Sequence, residues 1–146
     1  MGANLMVYRY HCDKAIALIR KQTQVKVHLY PHKNSFSSWS QCWQDNQSIH
    51  IGTKDRPENI LKSIAHELGH CLLVQQGSNT DWRKYTKYRL GILLPKRDRR
   101  NILKEERMAW TLGFRWLRRQ GLPITQHMKH CRKVLLSRHQ KRLRLP

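Results

Sequence analysis

Two histidines four residues apart, with a glutamate directly after the first, stand in the middle of the chain: residues 63–73 read SIAHELGHCLL. On a helix, residues i and i+4 share a face, with Cβ atoms roughly 5–6 Å apart. His66 and His70 so placed converge on one tetrahedral ion. Glu67 points aside, where it reaches a water on that ion rather than the ion itself. The competing reading is a buried amphipathic helix that happens to contain histidine. With nine His and four Glu in the chain, the spacing arises by chance about once or twice in a hundred such sequences. The metal reading is the stronger.

Catalytic zinc takes three protein ligands and leaves one position for water. Leu73 and Gln76 occupy the places where H-E-x-x-H-x-x-G-x-x-H needs Gly and His, so that pattern fails. Asp81, eleven residues after His70, is one candidate for the third ligand. Glu106 in KEERMAWTLGFRWLR (104–118) is a better one. Ala109 and Gly113 share its helix face and are small enough to let another helix come close. Glu105 points about 100° away and reads as solvated. His127 or His130 serves only if the last helix folds back over the site. The bland reading of Glu106 is a surface carboxylate paired with arginines. One Zn²⁺ is the expected cofactor, although two histidines and a carboxylate also suit manganese or iron.

The elements that must position these groups follow from periodicity. CDKAIALIRK (12–21) reads as a first helix with Ile16 and Ile19 inward. VKVHLY (25–30) places Val25, Val27 and Leu29 on one face of a half-buried strand. SWSQCWQ (38–44) alternates Trp39, Gln41 and Trp43, and SIHIGT (48–53) alternates Ile49 and Ile51, with Asp45-Asn46-Gln47 as the hairpin turn. Asp55 and Glu58 form a capping-box spacing around Pro57. Ile60, Leu61, Ile64, Leu68, Cys71 and Leu72 then recur at helical spacing up to Gly77, giving a helix over 56–76. Residues 77–98 read as a long connection. A helix over 99–120 follows, stopped by Gly121 and Pro123, with Trp110 and Trp116 in the core. A basic helix over 124–143 carries Ile124, Met128, Cys131 and Leu135 on one face. The fold expected is α+β: a small antiparallel or mixed three-stranded sheet packed on the H-E-x-x-H helix, then a Glu-bearing helix and a basic C-terminal helix, a minimal zincin-like arrangement. Residues 1–122 form one domain around the metal site in this reading, and 123–146 a basic extension.

At 146 residues and 39% hydrophobic content, the chain is one domain's worth. No apolar run approaches the ~20 residues of a spanning helix. MGANLMVYRYHCDK lacks the basic-then-apolar order of a secretory signal, and Met6 stands where a myristoylation signal needs Ser or Thr. No membrane association and a cytoplasmic location are therefore expected. Cys12, Cys42, Cys71 and Cys131 are scattered, which suits reduced thiols better than a disulfide framework. Charge is the outlying property, at +20 overall. Residues 1–82 carry nine basic and six acidic residues, whereas residues 83–146 carry twenty and three. A field of that size attracts nucleic acid or acidic protein surfaces. The expected contacts are Lys96, Arg97, Arg99 and Arg100 in one cluster, and Lys129, Arg132, Lys133, Arg138, Lys141, Arg142 and Arg144 in the tail. Trp82, Tyr85 and Tyr88 lie near the first cluster, where they could stack on bases.

HELGH on a helix after a small sheet, followed about thirty-five residues later by a helix with E-x-x-A-W, resembles the ImmA/IrrE-type gluzincin metallopeptidases. The resemblance spans about residues 12–120, and HELGH is its specific part. It implies a zinc metallopeptidase acting on a protein or peptide substrate, with His66, His70 and Glu106 as ligands and Glu67 as general acid/base. The chain departs from that pattern at Trp110-Thr111-Leu112-Gly113 and in its basic C-terminal extension. On this mechanism the strand around Ile49–Gly52 is the edge for an extended substrate, and Tyr85, Tyr88 or His50 stabilises the oxyanion. The other functional class is a nucleic-acid-binding protein on a zincin scaffold, either catalytically silent or similar to the DNA-associated SprT proteases, which favour a histidine third ligand.

Overall fold

The computed structural model describes residues 2–43, 45–78 and 81–146, with side chains described from residue 9 onward. Helix α1 (Gly2–Gln22) is followed by strand β1 (Lys26–Tyr30), a 3₁₀ turn (Ser35–Ser37), and strands β2 (Trp39–Trp43) and β3 (Asn46–Gly52). Helices α2 (Pro57–Gln75), α3 (Trp82–Arg89), α4 (Lys96–Arg119) and α5 (Gln126–Arg142) complete the chain. The architecture is α+β, as the order of periodicities implies. Helix α1 begins well before residue 12 because nothing between Gly2 and Cys12 breaks a helix. Among the residues whose side chains are described, Cys12, Ala15, Ile16 and Ile19 form its buried stripe.

The sheet is mixed, in the order β1-β3-β2. Strand β3 pairs parallel with β1 (Val27 opposite Ile49, Leu29 opposite Ile51) and antiparallel with β2 (Cys42 opposite Gln47, Ser40 opposite Ile49). The turn falls at Asp45, and Asn46 and Gln47 already belong to β3. Gln44, placed in the second strand from sequence, lies outside the described residues. Two faces differ from the sequence reading. Leu29 is exposed, at the far end of an edge strand, while Val25 and Val27 are buried. Strand β2 turns Cys42 inward and both tryptophans outward. Trp39 stacks on His50 (centroids 3.7 Å) and His50 on His28 (4.7 Å), forming one aromatic row across the three strands.

Helix α2 packs Ile60, Leu61, Ile64, Ala65, Leu68 and Cys71 into the core beneath the sheet. Its start does not use the capping box. Asp55 accepts from Ser35 Oγ, from Asn59 Nδ2 (3.0 Å) and from Arg56 N (2.7 Å). Glu58 accepts instead from Thr125 Oγ1, the hydroxyl that also caps α5 by accepting from Met128 N. These long-range partners win over the local pairing. At the other end Gly77 (φ +90°) terminates the helix as its position suggests.

Helix α4 lies against α2 in the most extensive contact between elements. A Cβ added to Gly69 would stand 1.8 Å from the Ala109 carbonyl oxygen, and one added to Gly113 would stand 1.9 Å from that of Ala65. Each glycine thus receives the backbone opposite an alanine of the other helix, and the axes approach as closely as two helices can. The stretch read as a long connection contains α3, whose Tyr85 and Tyr88 pack with Leu94, Ile102, Leu103 and Leu143 in a second, smaller core. Helix α4 starts three residues earlier than Arg99. Helix α5 packs back on α2 and α4, and Met128 is fully buried in the main core. Arg99 anchors the chain end, donating from Nη1 to Leu143 O (2.8 Å) and from Nε to Leu94 O (2.9 Å). All four cysteines are free, and Cys42 and Cys71 bring β2 to α2 with sulfurs 3.3 Å apart. Among the described residues no helix is long and apolar enough to cross a membrane.

Candidate metal centre

The close seam between α2 and α4 decides where Glu106 can reach. Its side chain is 5% exposed and lies across both histidines. His66 Nε2 is 2.9 Å from Glu106 Oε2, and His70 Nε2 is 3.3 Å from Oε1. The three donor atoms lie within 4.8 Å of one another. Ligand atoms about 2.0–2.1 Å from a tetrahedral zinc stand about 3.4 Å apart, so the set fits such an ion in number, chemistry and spacing. The arrangement is that of a zincin-like metal site.

Two of the three donors, His66 and Glu106, are held by a further group. The His66 ring stacks on the fully buried Trp110 (centroids 4.3 Å, 18°), and Tyr85 donates its hydroxyl to Glu106 Oε1 (3.2 Å). Glu67, buried, lies with Oε1 3.4 Å from His66 Nδ1. Burial opposes charge at every one of these groups, but the pairing outweighs it. The His66 imidazolium is pushed up to about 10 by the hydrogen bonds and charges of Glu106 and Glu67. His70 moves the same way through the charge of Glu106. Despite their burial, Glu106 is held well below the usual carboxylate range by both histidines, and Glu67 is lowered by its bond to His66. Both shifts favour the ionised carboxylate at neutral pH.

A cleft of about 290 Å³ opens over these groups. Strand β2 and the 3₁₀ turn supply one wall (Phe36, Trp39, Ser40), and α3 and α5 supply the other (Trp82, Tyr88, His139). Strand β3, the expected substrate edge, is the central strand, with both ladders already paired. The free edge beside the cleft belongs to β2.

His139 was not among the residues that spacing suggested. Its Nε2 lies 3.6 Å from Glu106 Oε2, and its Nδ1 is 2.7 Å from the Tyr88 hydroxyl. Burial lowers its pKa, so neutral imidazole is favoured. A neutral His139 that accepts from Tyr88 carries its proton on Nε2, toward the site. One signal pointed to it: the α5 face Met128, Leu135 continues four residues later at position 139. Helix α5 does fold back over the site, but His127 and His130 are exposed, and His127 bonds Asn59 Oδ1 (2.7 Å).

The remaining candidates lie elsewhere. Asp81 is the N-cap of α3, accepting from Arg83 N (3.0 Å), and its carboxylate is half exposed. Glu105 is half-buried rather than solvated, and lies outside the donor cluster. His50 sits in the aromatic row, bonded to Tyr30 Oη (2.7 Å) and Ser48 Oγ (3.0 Å), away from the cleft lining. Of the basic residues, Lys96, Arg97, Arg100, Lys133, Arg138, Lys141, Arg142 and Arg144 are exposed. Lys129, Arg99 and Arg132 are half-buried, Arg132 over the Phe114 ring at 5.0 Å. Tyr85 and Tyr88 are buried and Trp82 half-buried, so these aromatics face inward. The chain matches no family model, and no curated protein and no solved structure is significantly similar to it.

Proposed function

We propose that the chain is a zinc metallopeptidase of gluzincin type, with His66, His70 and Glu106 as ligands and Glu67 as general acid/base. The observation that carries this reading is the Glu106 carboxylate, delivered by a second helix onto the H-E-x-x-H histidines. A purely structural site would not require an ionised, buried Glu67 beside them. His66, His70 and Glu106 would hold the ion, which would supply a water acidified to near neutral pH and Lewis-acid polarisation of a peptide carbonyl. Glu67 takes the proton of the attacking water and returns it to the leaving amine. His139 presents its Nε2 proton to the charge that develops on the carbonyl oxygen, while Tyr85, whose hydroxyl donates to Glu106 Oε1, steadies that ligand. An extended substrate pairs with the free edge of β2, which leads past Trp39 and Ser40 into the cleft. Residues 1–122 are the catalytic unit in this reading, and the extension 123–146 completes it by carrying His139. Kinship with the ImmA/IrrE-type enzymes rests on the motif alone.

The test is hydrolysis of an unfolded protein by the zinc-loaded chain. Glu67→Gln should lower the rate about 10²–10⁴-fold while zinc stays bound. Hydrolysis that survives this substitution would refute the assignment. A second reading, binding of nucleic acid, is favoured by the exposed cations Lys133, Arg138 and Lys141 on α5. It predicts an affinity for DNA that falls steeply with salt.

A further inference from the structure

Three cations line the cleft with no carboxylate to neutralise them. Lys62 comes from α2, one turn before His66, while Arg89 ends α3 and Arg142 ends α5. Among the described residues, which include all nine Asp and Glu, no carboxylate lies within 4.0 Å of their charged nitrogens. Lys62 is the telling one, because it is only 5% exposed. Its ammonium faces the Phe36 ring at 5.5 Å, and the Arg142 guanidinium faces the Tyr88 ring at 4.8 Å. A ring face recovers only part of what an ammonium loses on leaving water. Asp55 is near enough to feel the charge of Lys62, but it forms no direct ion pair with it; its oxygens point to Ser35, Asn59 and the Arg56 N–H. Elsewhere the fold matches its buried charges: Glu106 has His66 and His70, and Glu67 has His66. A cation without an ion-pair partner, carried by a nearly buried residue on a cleft wall, is where a ligand's anion is expected.

We propose, building on the peptidase reading, that the cleft selects acidic protein segments, with Asp or Glu side chains beside the scissile bond seated on Lys62, Arg89 and Arg142. Glu106 and Glu67 offset the two charges of a bound zinc ion, so these cations set the remaining field of the cleft. A peptide side chain can reach the Lys62 ammonium in a 290 Å³ cleft, whereas a duplex is too bulky to enter.

The test uses three labelled decapeptides that differ only in carrying Glu, Gln or Lys at the same positions. Binding to the zinc-loaded Glu67→Gln chain is read by fluorescence anisotropy. The Glu peptide should bind at least about tenfold tighter than the Gln peptide, a difference of the size one well-placed ion pair supplies. Lys62→Met with Arg142→Gln should reduce that ratio to below about threefold. Arg118→Gln with Arg119→Gln, exposed at the far end of α4, should leave it intact. Equal affinity for Glu and Gln peptides, or equal loss in both double variants, overturns the proposal, since the overall charge would then explain the attraction. A single-stranded oligonucleotide that binds where the Glu peptide does not, and is lost with the same cleft variants, overturns it too. If the Lys62 variant does not fold, exposed Arg142→Gln alone must still lower the ratio. The peptidase reading fails separately: a wild-type chain that binds the Glu peptide with this preference yet never cuts it refutes hydrolysis and leaves the acidic site standing.

Discussion

Between α2 and α4 there is no room for a methyl group, whereas α5 reaches the same cleft through side-chain tips. The first contact interlocks Gly69 with Ala109 and Gly113 with Ala65, backbone against backbone. The second rests on one fully buried residue, Met128, and on polar tethers: Thr125 to Glu58, His139 to Tyr88, and Arg99 to the carbonyl of Leu143. The difference matches what each contact must hold. Ligand atoms must stay within tenths of an ångström, and rigid helices in close contact achieve that. The wall of the cleft can be tethered more loosely. Charge divides the same way: α5 is basic along most of its length, while the seam is apolar apart from the site itself.

The comparison breaks first at the seam. Gly69→Ala should cost about 3 kcal/mol or more, at the upper end of overpacking effects, because the obstructing atom is backbone and cannot rotate away. Denaturant unfolding measures the loss, and zinc affinity should fall with it because Glu106 is displaced. Gly69→Ala with wild-type stability would mean that the helices do not lie this close.

The next largest effect is on pH dependence, and it separates the two regions because the seam holds the shifted histidines. With zinc removed by a chelator, the pKa of His66 is raised from 6.5 to about 10. Its stabilising contribution is then complete below pH 6.5 and lost as pH rises through about 10. The depressed carboxylates Glu67 and Glu106 act in the opposite direction, stabilising above about 4.5 and losing this as pH falls through their folded values. Thermal unfolding of the chelated chain should therefore show declining stability from pH 6.5 toward 10. Zinc affinity should rise over the same range, about tenfold per pH unit for each proton displaced from the histidines. A pH-independent zinc affinity would contradict the ion-paired site.

The smallest effect belongs to α5. Thr125→Ala removes both the helix cap and the bond to Glu58, and should cost about 1 kcal/mol with zinc stoichiometry unchanged. Loss of zinc in Thr125→Ala would show that α5 positions the ligands after all.

How far the sequence discloses this molecule depends on which interactions are local. Helix α2 and its histidine pair are legible because Ile60 to Leu72 keep helical spacing throughout. Glu106 is legible because Ala109 and Gly113 mark a face made for close approach. Helix α3 is not, since its inward residues are tyrosines set among lysines and arginines. The outward turn of Trp39 depends on His50 across the strand, and the diversion of Asp55 and Glu58 depends on Ser35 and Thr125. His139 lies sixty-nine residues beyond His70, on a basic helix whose return to the site only tertiary packing decides.

Bound zinc per chain, measured by elemental analysis on wild type beside Glu106→Gln, Glu67→Gln and Asp81→Asn, tests the centre of this account most directly. The structure predicts one zinc in wild type, Glu67→Gln and Asp81→Asn, and its loss or marked weakening in Glu106→Gln. Wild type that takes up no zinc after reconstitution, or Glu106→Gln that holds it as tightly as wild type, would contradict the site.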